Sequence, residues 1–187
     1  MIGFAEHLDE IRSKNHWWTK ADFDITWEQM IHLIDTHPER LYDWNREKQR
    51  LGLNEFHTRP SAPQFAKDVV AEMHDLFAEP APKKEEYDKG HPHVTNIAFC
   101  GFGQYSGSYP RHADNMDVFL VQILNECKIT IGYTEEPKNA DESRMMKPGD
   151  AVWLPRGTWH QLEPSVSRVT FSFGFESDPD CDPAYFV

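Results

Sequence analysis

The chain has 187 residues, of which 39% are hydrophobic and 13% aromatic, and its formal net charge is −12. This composition excludes a disordered chain, and the length predicts one domain with a single sizeable core. The negative charge argues against general nucleic-acid binding, which needs a basic surface.

The cysteines and the amino terminus both favour the cytosol. The chain has 3 cysteines and no C-x-x-C pair, so neither a disulfide framework nor a zinc knuckle is expected. Residues 1–15 carry several acidic side chains and lack the apolar core of a secretory signal. The longest apolar stretch, residues 118–124, is far shorter than the roughly 20 residues that span a bilayer. We therefore expect a cytoplasmic protein that does not enter a membrane.

The first part of the chain, residues 1 to about 80, has the apolar spacing of amphipathic helices. Thr26 and Gln29 form a capping-box pattern, which predicts a helix beginning after Thr26. Ser61 and Gln64 repeat this pattern and predict a second, longer helix. We expect these helices to bury their apolar faces against a sheet.

The second part of the chain has the pattern of short strands separated by Gly and Pro turns, which is typical of a barrel or jelly roll. Asn125–Glu126 is the expected turn of a hairpin, and residues 138–149 are expected to form a polar loop. The predicted strands are Val94–Phe99, Asp117–Leu124, Lys128–Tyr133, Ala151–Leu154 and Arg168–Phe175.

A mainly β fold follows, with two parts in one compact unit. Residues 1–90 are predicted to form a helical extension, ending in a linker rich in Pro, Lys and Glu, that buttresses the barrel. Residues 91–187 are predicted to form the barrel itself.

One motif leads from a strand through a turn to a histidine. In the segment from Gly149 to His160, Pro155 fixes one turn dihedral and Gly157 can adopt a conformation closed to other residues. The segment resembles the second conserved motif of the cupin superfamily, G-x5-P-x-G-x2-H. The asparagine that usually ends this motif is replaced by Pro164. The resemblance implies a double-stranded β-helix, the cupin jelly roll, with the N-terminal helices packed on it.

A second motif supplies further metal ligands. His112 and Asp114 are separated by one residue, so on an extended chain they point to the same side and can reach one ion. His160 would complete a 2-His-1-carboxylate face, which leaves adjacent positions open on a metal. The stretch from His112 to Gln122 resembles the H-x-D run of JmjC-type protein hydroxylases and ribosomal oxygenases.

This second resemblance implies a cosubstrate site. In JmjC-type enzymes a basic residue on the next strand holds the distal carboxylate of 2-oxoglutarate, and the matching residue is Lys128. Gln122, Ser172 and Tyr109 correspond to positions that line the cosubstrate pocket in related enzymes. The spacing to Lys128 is about one residue longer than in common members, consistent with a slightly larger hairpin.

The implied function is that of an Fe(II)- and 2-oxoglutarate-dependent dioxygenase that uses O2 to hydroxylate a C–H bond. The substrate is a peptide or protein side chain, or a small molecule, and a homodimer is left open. One alternative is a metal-dependent cupin isomerase or dioxygenase that does not use 2-oxoglutarate, in which Lys128→Ala would leave activity intact. Another is a cupin that binds a ligand without catalysis.

Overall fold

Two antiparallel sheets form the framework of the computed structural model, which describes residues 2–13, 15–38, 50–77, 94–103, 109–139 and 141–175. The larger sheet has the strand order β1-β8-β5-β10-β3-β2 and the smaller one β4-β9-β6-β7. In chain order the strands are β1 Trp17–Lys20, β2 Arg50–Asn54, β3 Val94–Gly101, β4 His112–Ala113, β5 Asp117–Leu124, β6 Cys127–Gly132, β7 Glu142–Met146, β8 Asp150–Leu154, β9 Trp159–Pro164 and β10 Arg168–Phe175. The predicted mainly β jelly roll is confirmed.

Helices cover the outer face of the larger sheet. Among the described residues they are α1 (Leu8–Arg12), α2 (Trp27–Thr36) and α3 (Gln64–Phe77), accompanied by two short 3-10 helices. The capping box at the start of α2 is confirmed, because Thr26 and Gln29 bond each other's backbone N–H groups. The corresponding prediction for α3 was wrong in position, since this helix begins at Gln64 itself.

The alternation of side chains along β10 separates two cores. Val169, Phe171 and Phe173 are fully buried in the cluster that joins the larger sheet to the helices. Burial of each such side chain contributes about 1.5–3 kcal/mol to stability. Thr170 and Ser172 point to the opposite face and line the interior of the barrel. A second apolar cluster, with members from both sheets, holds the two sheets together.

Several strands were not predicted from the sequence. The N-terminal part, predicted to be helical, contributes β1, which pairs with β8, and β2, which pairs with β3. Residues 142–146, predicted to lie in a loop, form β7 beside β6. These short strands depend on partners distant in the chain, which a local pattern does not show. The predicted domain boundary at residue 90 lies outside the described residues.

The chain turns at Asn125–Glu126 as predicted, but this turn does not close a hairpin, because β5 and β6 belong to different sheets and pair with other strands. Asn125 takes a positive φ of 56° at the turn, a conformation that asparagine tolerates better than most residues. The turn connects the larger sheet to the smaller one. Within the described ranges, no helix is long and apolar enough to cross a membrane.

Candidate metal centre

Three side chains predicted to bind a metal meet at one place in the structure. Strand β4 pairs with β9 so that His112 lies directly opposite His160, with ring centroids 4.4 Å apart. The Asp114 carboxylate lies 3.7 Å from His112 Nε2 and 3.5 Å from His160 Nε2. The three candidate ligand atoms lie within 4.8 Å of one another, so a single ion can reach all of them.

Backbone carbonyls orient both imidazole rings. His112 Nδ1 lies 2.8 Å from the carbonyl of Pro110, and His160 Nδ1 lies 3.0 Å from the carbonyl of Thr158. When each Nδ1–H donates to its carbonyl, the lone pair on Nε2 is left for a metal ion. The same arrangement fixes the plane of each ring before any ion binds.

The turn before His160 is also tied to the carboxylate ligand. Gly157 has a positive φ of 79°, which favours glycine, and its N–H donates to the carbonyl of Asp114 at 2.9 Å. The Pro-x-Gly sequence therefore does more than direct His160. Its glycine connects the β8–β9 turn to the backbone of Asp114, the second candidate ligand, so the two motifs form one local structure.

Burial keeps the imidazole of His160 ready for metal binding. Only 3% of this residue is exposed, and burial lowers the pKa of His160 below its ordinary value although the Asp114 carboxylate opposes that change. A neutral imidazole is the form that donates a lone pair to a metal.

An ion pair braces the segment that carries His112. The Arg111 guanidinium lies 2.9 Å from Asp141, and both side chains are less than a tenth exposed. Arg111 also donates two hydrogen bonds to the carbonyl of Thr134, at 3.1 and 3.0 Å. A Cβ on Gly132 would collide with both charged groups, so the brace requires glycine there. The β6–β7 connection is thereby fixed beside the candidate ligand His112.

The three ligands open onto a cavity of about 690 Å³ inside the barrel. This volume falls within the range of roughly 300–1,000 Å³ that small-molecule sites occupy. Much of the wall is apolar and includes Phe99, Leu120 and Leu162. Ser172 and Tyr109, which the sequence suggested as pocket residues, both line the cavity.

Lys128, expected to hold the cosubstrate carboxylate, is not brought to this cavity. On β6 the residues Cys127, Ile129 and Ile131 are buried. Because side chains alternate between the two faces of a strand, Lys128 points outward. Its Nζ lies 2.9 Å from Glu163 on the neighbouring strand, and both side chains are nearly half exposed. This placement does not support the assignment of Lys128 to the cosubstrate.

Gln122 is fully buried, but its amide is engaged by other groups of the protein. Its Nε2 donates to the carbonyls of Leu124 and Asn125, both at 3.0 Å, and its Oε1 accepts from the Thr170 hydroxyl at 2.7 Å. These bonds hold the turn between β5 and β6 and tie it to β10. The placement assigns Gln122 to the support of the cavity wall, and Thr170 lines the cavity in its place.

Arg168, which sequence reasoning did not select, lines the cavity from the start of β10. The residue is 4% exposed, and its Nε is buried without a hydrogen-bond partner. Burial lowers the pKa of Arg168, yet a guanidinium remains protonated in proteins. Its Nη1 donates a long hydrogen bond of 3.4 Å to the carbonyl of Phe99, and within the described part of the chain no carboxylate forms an ion pair with it.

Two thiols near Arg168 do not balance its charge. Burial raises the pKa of Cys100 to about 12, against the opposing effect of Arg168, and burial also raises the pKa of Cys127. Both thiols are therefore neutral at physiological pH. A buried cation without an anionic partner is costly, so the cavity is suited to a ligand that carries a negative charge.

Comparisons with known proteins agree with this architecture. Residues 91–181 match the family model described as the JmjC domain. Among curated protein sequences, none matches the chain. The solved structure of YcfD, a ribosomal oxygenase from Escherichia coli, in complex with cobalt and succinic acid is similar in fold, with a TM-score of 0.66 and 15% identity over 95% of this chain and 52% of that one.

The structure of the same Escherichia coli protein in complex with cobalt and 2-oxoglutarate gives a TM-score of 0.65, with 15% identity and coverage of 95% of this chain and 52% of that one. The chain therefore spans about half the length of these relatives. At this level of identity the likeness concerns the fold.

Proposed function

We propose that this protein is an Fe(II)- and 2-oxoglutarate-dependent oxygenase that hydroxylates a C–H bond, since residues 91–181 match the family model described as the JmjC domain. One observation carries the proposal. A 2-His-1-carboxylate set opens onto a cavity that also contains a buried arginine without a carboxylate partner. The first feature suits a metal with open positions, and the second suits an anionic cosubstrate.

The donor set fits iron(II). Two imidazole Nε2 atoms and a carboxylate oxygen converge from His112, His160 and Asp114. Both Nδ1 atoms are occupied by backbone carbonyls, so each ring presents one nitrogen to the ion. The residues that line the cavity next to the triad add no further histidine, cysteine, aspartate or glutamate within the described ranges, so part of the coordination sphere remains for other ligands.

The metal and its cosubstrate would supply one chemistry: oxidative decarboxylation of 2-oxoglutarate by O2, giving succinate and carbon dioxide with hydroxylation of the substrate. The protein's own residues hold and orient the reactants. His112, Asp114 and His160 fix the ion, and the apolar wall of the cavity limits access of water.

We assign the distal carboxylate of 2-oxoglutarate to Arg168 in place of Lys128. The Arg168 guanidinium lines the cavity and has an unpartnered Nε, whereas the Lys128 ammonium lies outside and is paired with Glu163. A planar guanidinium binds a carboxylate through two parallel hydrogen bonds. Ser172 lies further along the same face of β10 and is positioned to donate a hydroxyl hydrogen bond to the bound dicarboxylate, whereas the Thr170 hydroxyl already donates to Gln122.

The likeness to a ribosomal oxygenase favours a peptide or protein substrate over a small molecule. We further propose that the protein acts in the cytoplasm, where the buried, free thiols of Cys100 and Cys127 remain reduced.

Anaerobic titration tests this function. Fe(II) added to the protein should produce a weak visible charge-transfer band only when 2-oxoglutarate is also present. In air, the same mixture should release succinate, and a screen of peptides and metabolites should identify compounds that accelerate the release. Absence of both the band and succinate would remove the oxygenase and leave a cupin that does not use 2-oxoglutarate.

A further inference from the structure

A second arginine, Arg50, lines the same cavity from the start of β2. Its Cζ lies 4.0 Å from the centroid of the Tyr109 ring. A guanidinium stacked on an aromatic face keeps the N–H donors in its plane available for another ligand. No ion pair joins Arg50 to any carboxylate among the residues that the structure describes.

The strand register places the two cavity arginines in one row. Gly101 on β3 pairs with Arg50 on one side and with Arg168 on the other. Residues paired in this way point to the same face of a sheet, so the two guanidinium groups share the interior and only a glycine separates them. Two like charges at this spacing repel each other, and one carboxylate does not neutralise both.

The two arginines differ in depth. Arg168 is 4% exposed, whereas Arg50 is half-buried and its neighbour Tyr109 is 44% exposed. The Tyr109 ring also lies 5.8 Å from the ring of the metal ligand His112. Arg50, Tyr109 and His112 therefore form a continuous wall from the mouth of the cavity to the metal centre. A substrate that enters along this wall meets Arg50 before it reaches the metal.

We propose that Arg50, stacked on Tyr109, is a second anion subsite that selects substrates carrying a carboxylate group. The proposal rests on the oxygenase function proposed above, and it names the chemical class of the substrate. In this arrangement Arg168 is neutralised by the cosubstrate and Arg50 by the substrate. The carboxylate belongs either to a small organic acid or to an acidic residue or chain terminus of a peptide.

Binding of a simple probe tests the subsite without turnover. The protein is loaded with redox-inert Zn(II) and saturated with 2-oxoglutarate, and 4-fluorobenzoate and its neutral isostere 4-fluorobenzamide are titrated by fluorine NMR. We expect the wild-type protein to prefer the carboxylate at least about tenfold, as one charge-assisted pair provides. Arg50→Gln should abolish this preference, and Arg50→Lys should retain part of it.

A control variant locates the effect. Arg12 is an exposed arginine on α1, so Arg12→Gln makes the same change of charge away from the cavity and should keep the full preference. Equal binding of acid and amide by the wild-type protein, or a preference that survives Arg50→Gln, would overturn the proposal.

A second measurement identifies the source of the carboxylate. Succinate release is followed with small organic acids and with acidic peptides, each beside its amide counterpart. We expect compounds that accelerate the release to lose at least about tenfold in kcat/KM as amides, and Arg50→Gln to cause the same loss while the KM for 2-oxoglutarate stays within about twofold. Amides as active as the acids would refute the carboxylate subsite.

The two measurements separate the two proposals. A carboxylate preference in the binding experiment without any succinate would retain the subsite and reject the oxygenase. Succinate release without a carboxylate preference would retain the oxygenase and reject the subsite. A rise in the KM for 2-oxoglutarate in Arg50→Gln would assign Arg50 to the cosubstrate and contradict the proposal.

Discussion

Replacing Arg168 with methionine should weaken cosubstrate binding while leaving the unliganded fold at least as stable. Arg168 is 4% exposed, its Nε has no hydrogen-bond partner, and both neighbouring thiols are neutral. In the unliganded protein this charge is therefore uncompensated. Replacement of buried charges by an apolar side chain of similar size is often neutral or stabilising, by about 1–4 kcal/mol.

The magnitudes follow from the same contacts. Loss of a charge-assisted carboxylate pair costs about 1.5–3 kcal/mol, which raises the dissociation constant of 2-oxoglutarate roughly 10- to 150-fold. A stability gain of about 1 kcal/mol raises the Tm of a chain of this size by about 2–4 °C. Arg168→Met should therefore melt no lower than the wild type without 2-oxoglutarate and gain less than the wild type when 2-oxoglutarate is added.

Thermal melting of the Zn(II)-loaded protein, with and without 2-oxoglutarate, measures both effects, and the KM for 2-oxoglutarate in succinate release provides an independent check. The matched control is Lys128→Met, which removes the exposed ammonium paired with Glu163 and should leave the KM unchanged. If Lys128→Met raised the KM while Arg168→Met did not, the assignment to Arg168 would be refuted.

Three further variants test the site and its support. Asp114→Ala should lose metal binding, measured by titration with Co(II), and abolish succinate release, because only two ligands of the triad remain; retained turnover would mean that the metal site is misassigned. Gln122→Leu should lower the Tm by several degrees, because the Thr170 hydroxyl and two backbone carbonyls lose their partner at a cost of about 1–3 kcal/mol each. An unchanged Tm together with a higher KM for 2-oxoglutarate would instead indicate that Gln122 contacts the cosubstrate directly. Burial alone would raise the pKa of Asp150, but the Lys147 N–H and the Lys20 and Arg144 cations together lower it below its ordinary value. The Asp150 carboxylate therefore stabilises the folded protein above its unfolded pKa of about 3.9, and this stabilisation is lost as the pH falls through the lower folded pKa. Urea unfolding should therefore show a deficit for Asp150→Asn at neutral pH that disappears in strong acid, and a deficit independent of pH would contradict this account.

The three side chains of the candidate metal centre could be located from the sequence because their geometry is mostly local. His112 and Asp114 are separated by one residue, and the Pro-x-Gly turn controls the direction of His160. The alternation of side chains along β6 also argued against a cavity position for Lys128, because the buried Cys127 and Ile129 flank it on the same strand. The family resemblance predicted that Lys128 lies in the cavity, whereas the alternation along β6 turns its side chain outward.

The sequence by itself determined the strands whose apolar pattern is strong, such as β5 and β10, and the residues of the candidate metal centre. Tertiary structure alone decided which face of β10 lines the cavity, because Arg168 and Val169 are distinguished only by what packs on each side of the sheet. It also decided that Arg50, from a region that the sequence indicated to be helical, joins the edge of the barrel sheet. Such pairings depend on contacts between segments far apart in the chain, and a local pattern does not encode them.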